Sequence, residues 1–170
     1  MKYNHRIAII GAGQLGTRHL QGLVRLSMPC EIHVVDPSVK SLDMARQRVD
    51  DVVAAATHAL NYHHHIESLP RNLDYVVVAT TADIRLNVMY ALFHRRTVKN
   101  ILLEKVLFQR VSDYAAADKL LSQANCRAWV SCLRRAAPIY DTLRAFFLED
   151  QLQHVDVRGG NWGLGCNSIH

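Results

Sequence analysis

A doubly wound, parallel α/β sheet with strand order 3-2-1-4-5-6 is the fold this sequence predicts, followed by the start of an incomplete second α+β domain. Three observations carry that expectation. Apolar β-branched runs alternate with helix-length amphipathic segments along most of the chain, the pattern of strand–helix–strand crossovers. The stretch Tyr75-Val76-Val77-Val78-Ala79 is apolar at consecutive positions rather than alternate ones, which suits a strand covered on both faces. The first apolar run, Ile7-Ala8-Ile9-Ile10, passes directly into Gly11-Ala12-Gly13-Gln14-Leu15-Gly16, a tight turn between a strand and a helix.

Each element follows from local chemistry. The first strand is expected over about Arg6 to Ile10. The first helix runs from about Leu15 to Leu26, with Leu15, Leu20, Leu23 and Leu26 as candidate core contacts. Ile32 to Val35 forms the second strand. The second helix starts near Ser38, which can act as N-cap, and Val39, Leu42, Ala45, Val49 and Val53 recur at helical spacing. Asn61 to Ile66 reads as a short third strand and Ser68-Leu69-Pro70 as a turn. Asp74 to Thr80 is the fourth strand and Asn87 to Phe93 a helix. Asn100 to Leu103 is the fifth strand, Ser112 to Ala124 a helix capped by Ser112, and Arg127 to Val130 the sixth strand. Beyond Ser131, Pro138 to Phe147 reads as an amphipathic helix and Val155 to Arg158 as a new strand, before a glycine-rich segment and His170. The expected organisation is a cofactor domain over 1–131 and the opening of a substrate domain over 132–170.

Bulk composition narrows the function. The chain has 170 residues, 49% hydrophobic and 21% charged, which supplies one full core and excludes a disordered chain. No apolar run reaches membrane-spanning length and no secretory leader is visible. The four cysteines form no C-x-x-C pair; they read as thiols in a reducing compartment, so a cytoplasmic location is expected. The formal charge of +5 comes with basic clusters at His94-Arg95-Arg96 and Arg134-Arg135. A nucleic-acid partner would want stacking aromatics and a recognition motif, and aromatic content is 7%. Excess positive charge also suits an anionic cofactor or an acidic substrate. His63-His64-His65 is a weak metal candidate, because consecutive strand residues alternate faces and no acid or cysteine stands at ligand spacing.

The glycine turn carries the main functional signal. Gly11 permits the sharp exit from the strand. Gly13 lets a phosphate approach the backbone. Gly16 allows the helix to pack on the strand. Free amides near Gln14, Leu15 and Gly16 then face an anion with the helix dipole behind them. One helix length later a second strand ends in Asp36, placed to accept hydrogen bonds from an adenosine ribose. The alternative is a simple turn, since Asp36-Pro37 are both turn residues. A carboxylate there repels a 2′-phosphate, so NAD is expected over NADP. A methyl-donor enzyme with a similar glycine loop is a competing possibility.

Taken together, Gly11 to Gly16, Asp36, the segment Ala79-Thr80-Thr81-Ala82-Asp83-Ile84-Arg85, the Glu104-Lys105 pair and the tail from Gly160-Asn161-Trp162-Gly163 to His170 resemble the Gfo/Idh/MocA oxidoreductases. This is the family of glucose–fructose oxidoreductase and inositol dehydrogenase. The resemblance covers essentially the whole chain. It implies a Rossmann domain followed by an open-sheet substrate domain, and hydride transfer between nicotinamide and a carbinol carbon of a sugar or sugar derivative. It further implies cofactor contacts at Thr80, Thr81, Arg85 and Glu104. Lys105 matches the lysine of the family's E-K-P motif, and His170 the usual acid/base histidine. Two positions depart from the pattern. The motif's proline is Val106, which neither fixes φ nor removes a donor. Cys166, followed by Asn167, stands where an aspartate often orients the histidine.

In that chemistry Lys105 supplies a cation beside the developing oxyanion and the histidine takes the hydroxyl proton. Read without the resemblance, Lys105 is a surface lysine paired with Glu104. Trp162 could stack on a sugar or plug a domain junction. As the last residue, His170 is expected to be held too loosely to act as a base in this chain. The departures leave room for a second function, a non-catalytic NAD-binding or sensing module. Exposure of the incomplete C-terminal region would favour a homo-oligomer; a small molecule is the expected substrate, with no nucleic-acid or membrane partner.

Overall fold

The computed structural model describes residues 3–52, 58–132 and 137–146. The chain divides into two compact units, Met1–Val130 and Ser131–His170. The first unit carries a sheet built from β1 (His5–Ile10), β2 (Cys30–Val35), β3 (Ala59–His63), β4 (Asn72–Val78), β5 (Thr97–Leu103) and β6 (Arg127–Val130). The strands lie in the order β3-β2-β1-β4-β5-β6 and every pairing is parallel. Helices α1 (Gln14–Leu23), α2 (Val39–Asp50), α3 (Arg85–Arg95) and α4 (Val111–Gln123) make the crossovers, with a short 3₁₀ turn at Ile66–Ser68 between β3 and β4. The second unit contains α5 (Pro138–Phe146). The predicted doubly wound sheet is the observed one.

The consecutive apolar runs are explained by burial on both faces. Ile7 and Ile9 of β1 join Ile32, Val34, Leu20 and Leu42 in one core cluster. Ala8 and Ile10, pointing the other way, join Val76, Val78, Met89 and Ile101 in the second. Each fully buried Leu or Ile removes enough apolar surface from water to contribute roughly 1.5–3 kcal/mol, and Ile9, Leu20, Ile32, Met89 and Ile101 are all wholly inaccessible.

Several local expectations need correction. Leu15 and Leu26 are exposed rather than core, at 52% and 40%. The buried stripe of α1 is Gly16, Thr17 and Leu20. Leu15 precedes that stripe by one residue, and at 3.6 residues per turn one residue rotates the side chain about 100° away. The helix ends at Leu23, so Leu26 lies beyond it, and Val24 takes the core position instead. In α2, Leu42, Ala45 and Val49 are buried as expected but Val39 is exposed, and Val53 lies outside the described residues. Ser38 caps α2, accepting from the Ser41 amide at 3.2 Å. Ser112 does not cap α4: Arg110 holds the extended cap position and its carbonyl accepts from the Asp113 amide at 3.1 Å, leaving Ser112 in the first turn. The third strand sits about two residues earlier than expected, with β3 in register from Glu31↔Ala59 to Val35↔His63. The expected strand over 155–158 lies outside the described residues.

That register brings two histidines together on one face of the β2–β3 edge. His33 Nδ1 and His63 Nε2 are 3.0 Å apart, with the rings stacked at 5.3 Å between centroids. Such a bond needs one donor and one acceptor, so a second proton on the pair destroys it. Glu31 Oε1 stands 3.5 Å from the other nitrogen of His33. Burial is the main cause that holds both histidines below the ordinary value of 6.5. The unfolded chain therefore binds more protons than the folded one below that value, and stability falls as pH drops. Urea unfolding should show stability falling between pH 7 and pH 5. The double substitution His33→Gln/His63→Gln should flatten that slope; an unchanged slope would mean that the pair is not its source.

Candidate functional site

The carboxyl ends of β1, β2, β4 and β5 meet at the point where the strand order reverses, the place where a parallel α/β sheet opens a crevice. The glycine turn occupies its centre. Gly11 has φ +97 and donates to the Val35 carbonyl at 2.8 Å. A Cβ on Gly11 would stand 3.0 Å from the Ala79 carbonyl carbon, and a Cβ on Gly16 only 1.8 Å from the Gly11 oxygen. A Cβ on Gly13 would meet nothing within 4 Å. Two glycines are thus demanded by the protein's own packing, whereas Gly13 faces open space.

Helix α1 begins immediately after this turn. Gly13 is its N-cap residue, no side chain caps it, and its first turn carries no acid. Gln14 and Leu15 are exposed. The first-turn amides keep their donors for an incoming anion. The turn is braced from behind. Thr17, 1% exposed, shares its hydroxyl proton between the Gly13 and Gln14 carbonyls at 2.9 and 3.0 Å. It accepts from Arg48 Nη1 at 2.6 Å. Neither Thr17 nor Arg48 was predicted, because a contact between residues 31 apart leaves no trace in local pattern.

Asp36 lies where the sequence places it. Its Oδ2 accepts from the Ala12 amide at 2.7 Å and its Oδ1 from the Ser38 amide at 2.9 Å. The carboxylate is fixed against the glycine turn, and its two oxygens retain acceptor capacity for a diol.

On the other side of the crevice two of the expected site residues, Arg85 and Glu104, are buried. Arg85 is 1% exposed and its guanidinium is turned inward. Nη1 donates to the carbonyls of Glu104, Val106 and Leu107 at 2.5, 2.5 and 2.8 Å, and Nη2 donates to the Thr80 carbonyl. Both η nitrogens of Arg85 thus donate to backbone oxygens, and burial lowers its pKa. Glu104 is also buried, at 5%, and its Oε1 accepts from His19 Nε2 at 2.7 Å. His19 was not anticipated. Thr80 Oγ1 is buried without a hydrogen-bond partner among the described residues. Thr81 is exposed, and its hydroxyl is the leading cause that holds the Asp83 carboxyl below its ordinary value. Lys105 is half-buried on the loop after β5, and its peptide bond to Val106 is cis. His170, Trp162, Cys166 and Asn167 lie outside the described residues.

These features fit a dinucleotide. Gly13 leaves the turn open, no side chain caps the start of α1, and the Asp36 carboxylate is fixed beside both. A cavity of about 420 Å³ lies instead at the amino ends of the strands. Its charges are already paired, Arg6 with Glu31 at 2.9 Å and Lys99 with Asp74 at 2.7 Å. Among the described residues no group of three or more His, Cys, Asp or Glu could hold a metal ion. None of their helices is long and apolar enough to cross a membrane.

Fold and crevice together define a dinucleotide-binding Rossmann domain. The chain belongs to the Gfo/Idh/MocA oxidoreductase family, whose NAD-binding Rossmann fold model matches residues 5–132. Solved structures share the fold at low identity. An NAD-binding protein from Listeria innocua has 18% identity and a TM-score of 0.68, over 95% of this chain and 48% of that one. The WlbA dehydrogenase from Thermus thermophilus, in complex with NAD and UDP-GlcNAcA, has 16% identity and a TM-score of 0.65, over 86% of this chain and 48% of that one. Myo-inositol 2-dehydrogenase from Lactobacillus plantarum has 16% identity and a TM-score of 0.64, over 84% and 40%. This chain therefore spans less than half the length of each. No curated protein sequence matches the chain.

The glycine geometry makes a paired prediction. Gly16→Ala should cost about 3 kcal/mol or more, because backbone must move to admit the methyl group. Gly22→Ala, with nothing within 4 Å of the added carbon, should stabilise by up to about 1 kcal/mol through helix propensity. Urea unfolding of both variants checks the contrast; equal effects would contradict it.

Proposed function

We propose that this chain is the NAD-binding part of an oxidoreductase that moves a hydride between nicotinamide and a carbinol carbon of a sugar or sugar derivative. The observation that carries the reading is the Asp36 carboxylate, fixed at 2.7 Å on the Ala12 amide beside an uncapped helix start. Residues 1–131 act as the cofactor domain and 132–170 as the opening of a substrate domain. Family membership supports the chemistry, and two of the similar structures are dehydrogenases whose names or ligands point to myo-inositol and to a nucleotide sugar.

When bound, the nicotinamide supplies the hydride acceptor or donor. The chain's residues do the rest. Amides of Gln14, Leu15 and Gly16 hold the diphosphate. Asp36 accepts from the adenosine ribose hydroxyls and repels a 2′-phosphate. Thr80 and Thr81 face the crevice from the end of β4. Arg85 and Glu104 shape the loop that presents Lys105, whose ammonium stabilises charge developing on the substrate oxygen. His170 accepts the hydroxyl proton. The unpaired thiols of Cys30, Cys126 and Cys132 fit a cytoplasmic setting. Association into a homo-oligomer through the C-terminal region belongs to the same reading.

Calorimetric titration of the chain tests it. NAD should bind more tightly than NADP, and Asp36→Arg should move the ratio toward NADP by at least about tenfold, the scale of one hydrogen bond to a charged group. No heat with either nucleotide would end the reading; an unchanged ratio would remove Asp36 from the ribose.

A further inference from the structure

Residues 104–107 are held by two side chains, one buried and one partly buried. Arg85 gathers the carbonyls of Glu104, Val106 and Leu107 from one direction. His19 grips the Glu104 carboxylate from another, at 2.7 Å, with the two side chains 19% and 7% exposed. The second contact joins parts of the chain 85 residues apart. His19 stands in the second turn of α1, the helix whose first turn faces the glycine loop. Glu104 ends β5 and immediately precedes Lys105.

The contact therefore crosses the switch point of the sheet. The adenosine side of the crevice lies toward β2 and Asp36, and the far side lies toward β4 and β5. Helix α1 belongs to the first and Lys105 to the second. A buried carboxylate is tolerated when it is paired and hydrogen-bonded, and an imidazole reaching from α1 supplies a directional donor that fixes position as well as charge.

We infer that the His19–Glu104 pair is a strut across the cofactor crevice. It sets the separation between the glycine loop and the Lys105 loop. His19 is a positioning residue in this account: it acts through Glu104 and touches neither cofactor nor substrate. A ligand that spans both loops gains from the fixed separation, because less ordering is left for it to impose. A ligand that reaches only the glycine loop and Asp36 gains nothing. The inference rests on the dinucleotide reading above for its link to NAD, whereas the strut itself does not depend on a ligand.

Two measurements on the 170-residue chain separate these levels. The first is hydrogen exchange without nucleotide at the Leu103 and Glu104 amides, the latter donating to the Val78 carbonyl at 3.2 Å. His19→Ala should speed exchange there by about tenfold, the scale of a lost hydrogen bond to a charged group. His19→Gln, whose side-chain amide can still donate, should recover most of the protection. The second is calorimetry with NAD and with ADP. His19→Ala should weaken NAD by about tenfold and leave ADP within about twofold.

A purely structural histidine would lower the melting temperature without separating the two ligands. Unchanged exchange in His19→Ala overturns the strut. Equal losses of NAD and ADP affinity overturn its role toward the cofactor. If the parent chain binds neither ligand, the dinucleotide reading has failed, and the exchange measurement still decides the strut. Should His19→Ala not fold, His19→Phe, which keeps a ring of similar shape and removes the donor, carries the same comparisons.

Discussion

The closeness of α1 to the exit of β1 is the constraint on which this structure turns. The Gly16 Cα lies so near the Gly11 oxygen that an added carbon would stand 1.8 Å from it. Only a residue without a side chain permits that approach. The approach directs the start of α1 at the crevice instead of past it. It lets Thr17 reach back to the Gly13 carbonyl and receive Arg48 from α2. It also puts the Ala12 amide within reach of Asp36, so that the turn and the carboxylate are fixed relative to one another.

The charged and polar groups around the crevice divide into two kinds. Asp36 and the first-turn amides of α1 keep hydrogen-bonding capacity at the opening. Arg85, Glu104 and His19 turn theirs inward. A buried guanidinium on several carbonyls is costly to desolvate, yet it holds a loop in a shape that lacks secondary-structure bonds of its own. The Lys105 loop is therefore supported by side chains, and the glycine turn by the Gly11–Val35 backbone bond together with the side chains of Thr17 and Asp36. The motif's usual proline is absent at Val106, and the Arg85 bond to the Val106 carbonyl contributes to shaping the loop there.

Much of this was legible in the sequence, for definite reasons. Strands buried on both faces write themselves as consecutive apolar runs, so β4 was located within two residues and β6 at its observed bounds. Ser38 announced the start of α2 because a cap is a local interaction. The glycine spacing and Asp36 were legible because each answers a steric or hydrogen-bonding need within one crossover. The start of β5 was not, since Thr97, Lys99 and Asn100 dilute its apolar pattern. The roles of Arg85 and Glu104 were illegible for another reason. An arginine at a strand-to-helix junction reads the same whether it faces solvent or the interior, and the partner of Glu104 lies on a helix 85 residues away. Such contacts are set by tertiary packing and leave no periodicity to read.

The central claim is that backbone amides at the glycine turn hold a diphosphate while Asp36 holds the neighbouring ribose. Nitrogen-detected chemical-shift mapping of the chain during addition of NAD tests it most directly. The account places the largest changes at the amides of Ala12 to Gly16 and at Asp36, with smaller ones at Thr80 and Lys105. Changes confined to the amino-end cavity around Arg6 and Lys99, or none at all, would contradict it.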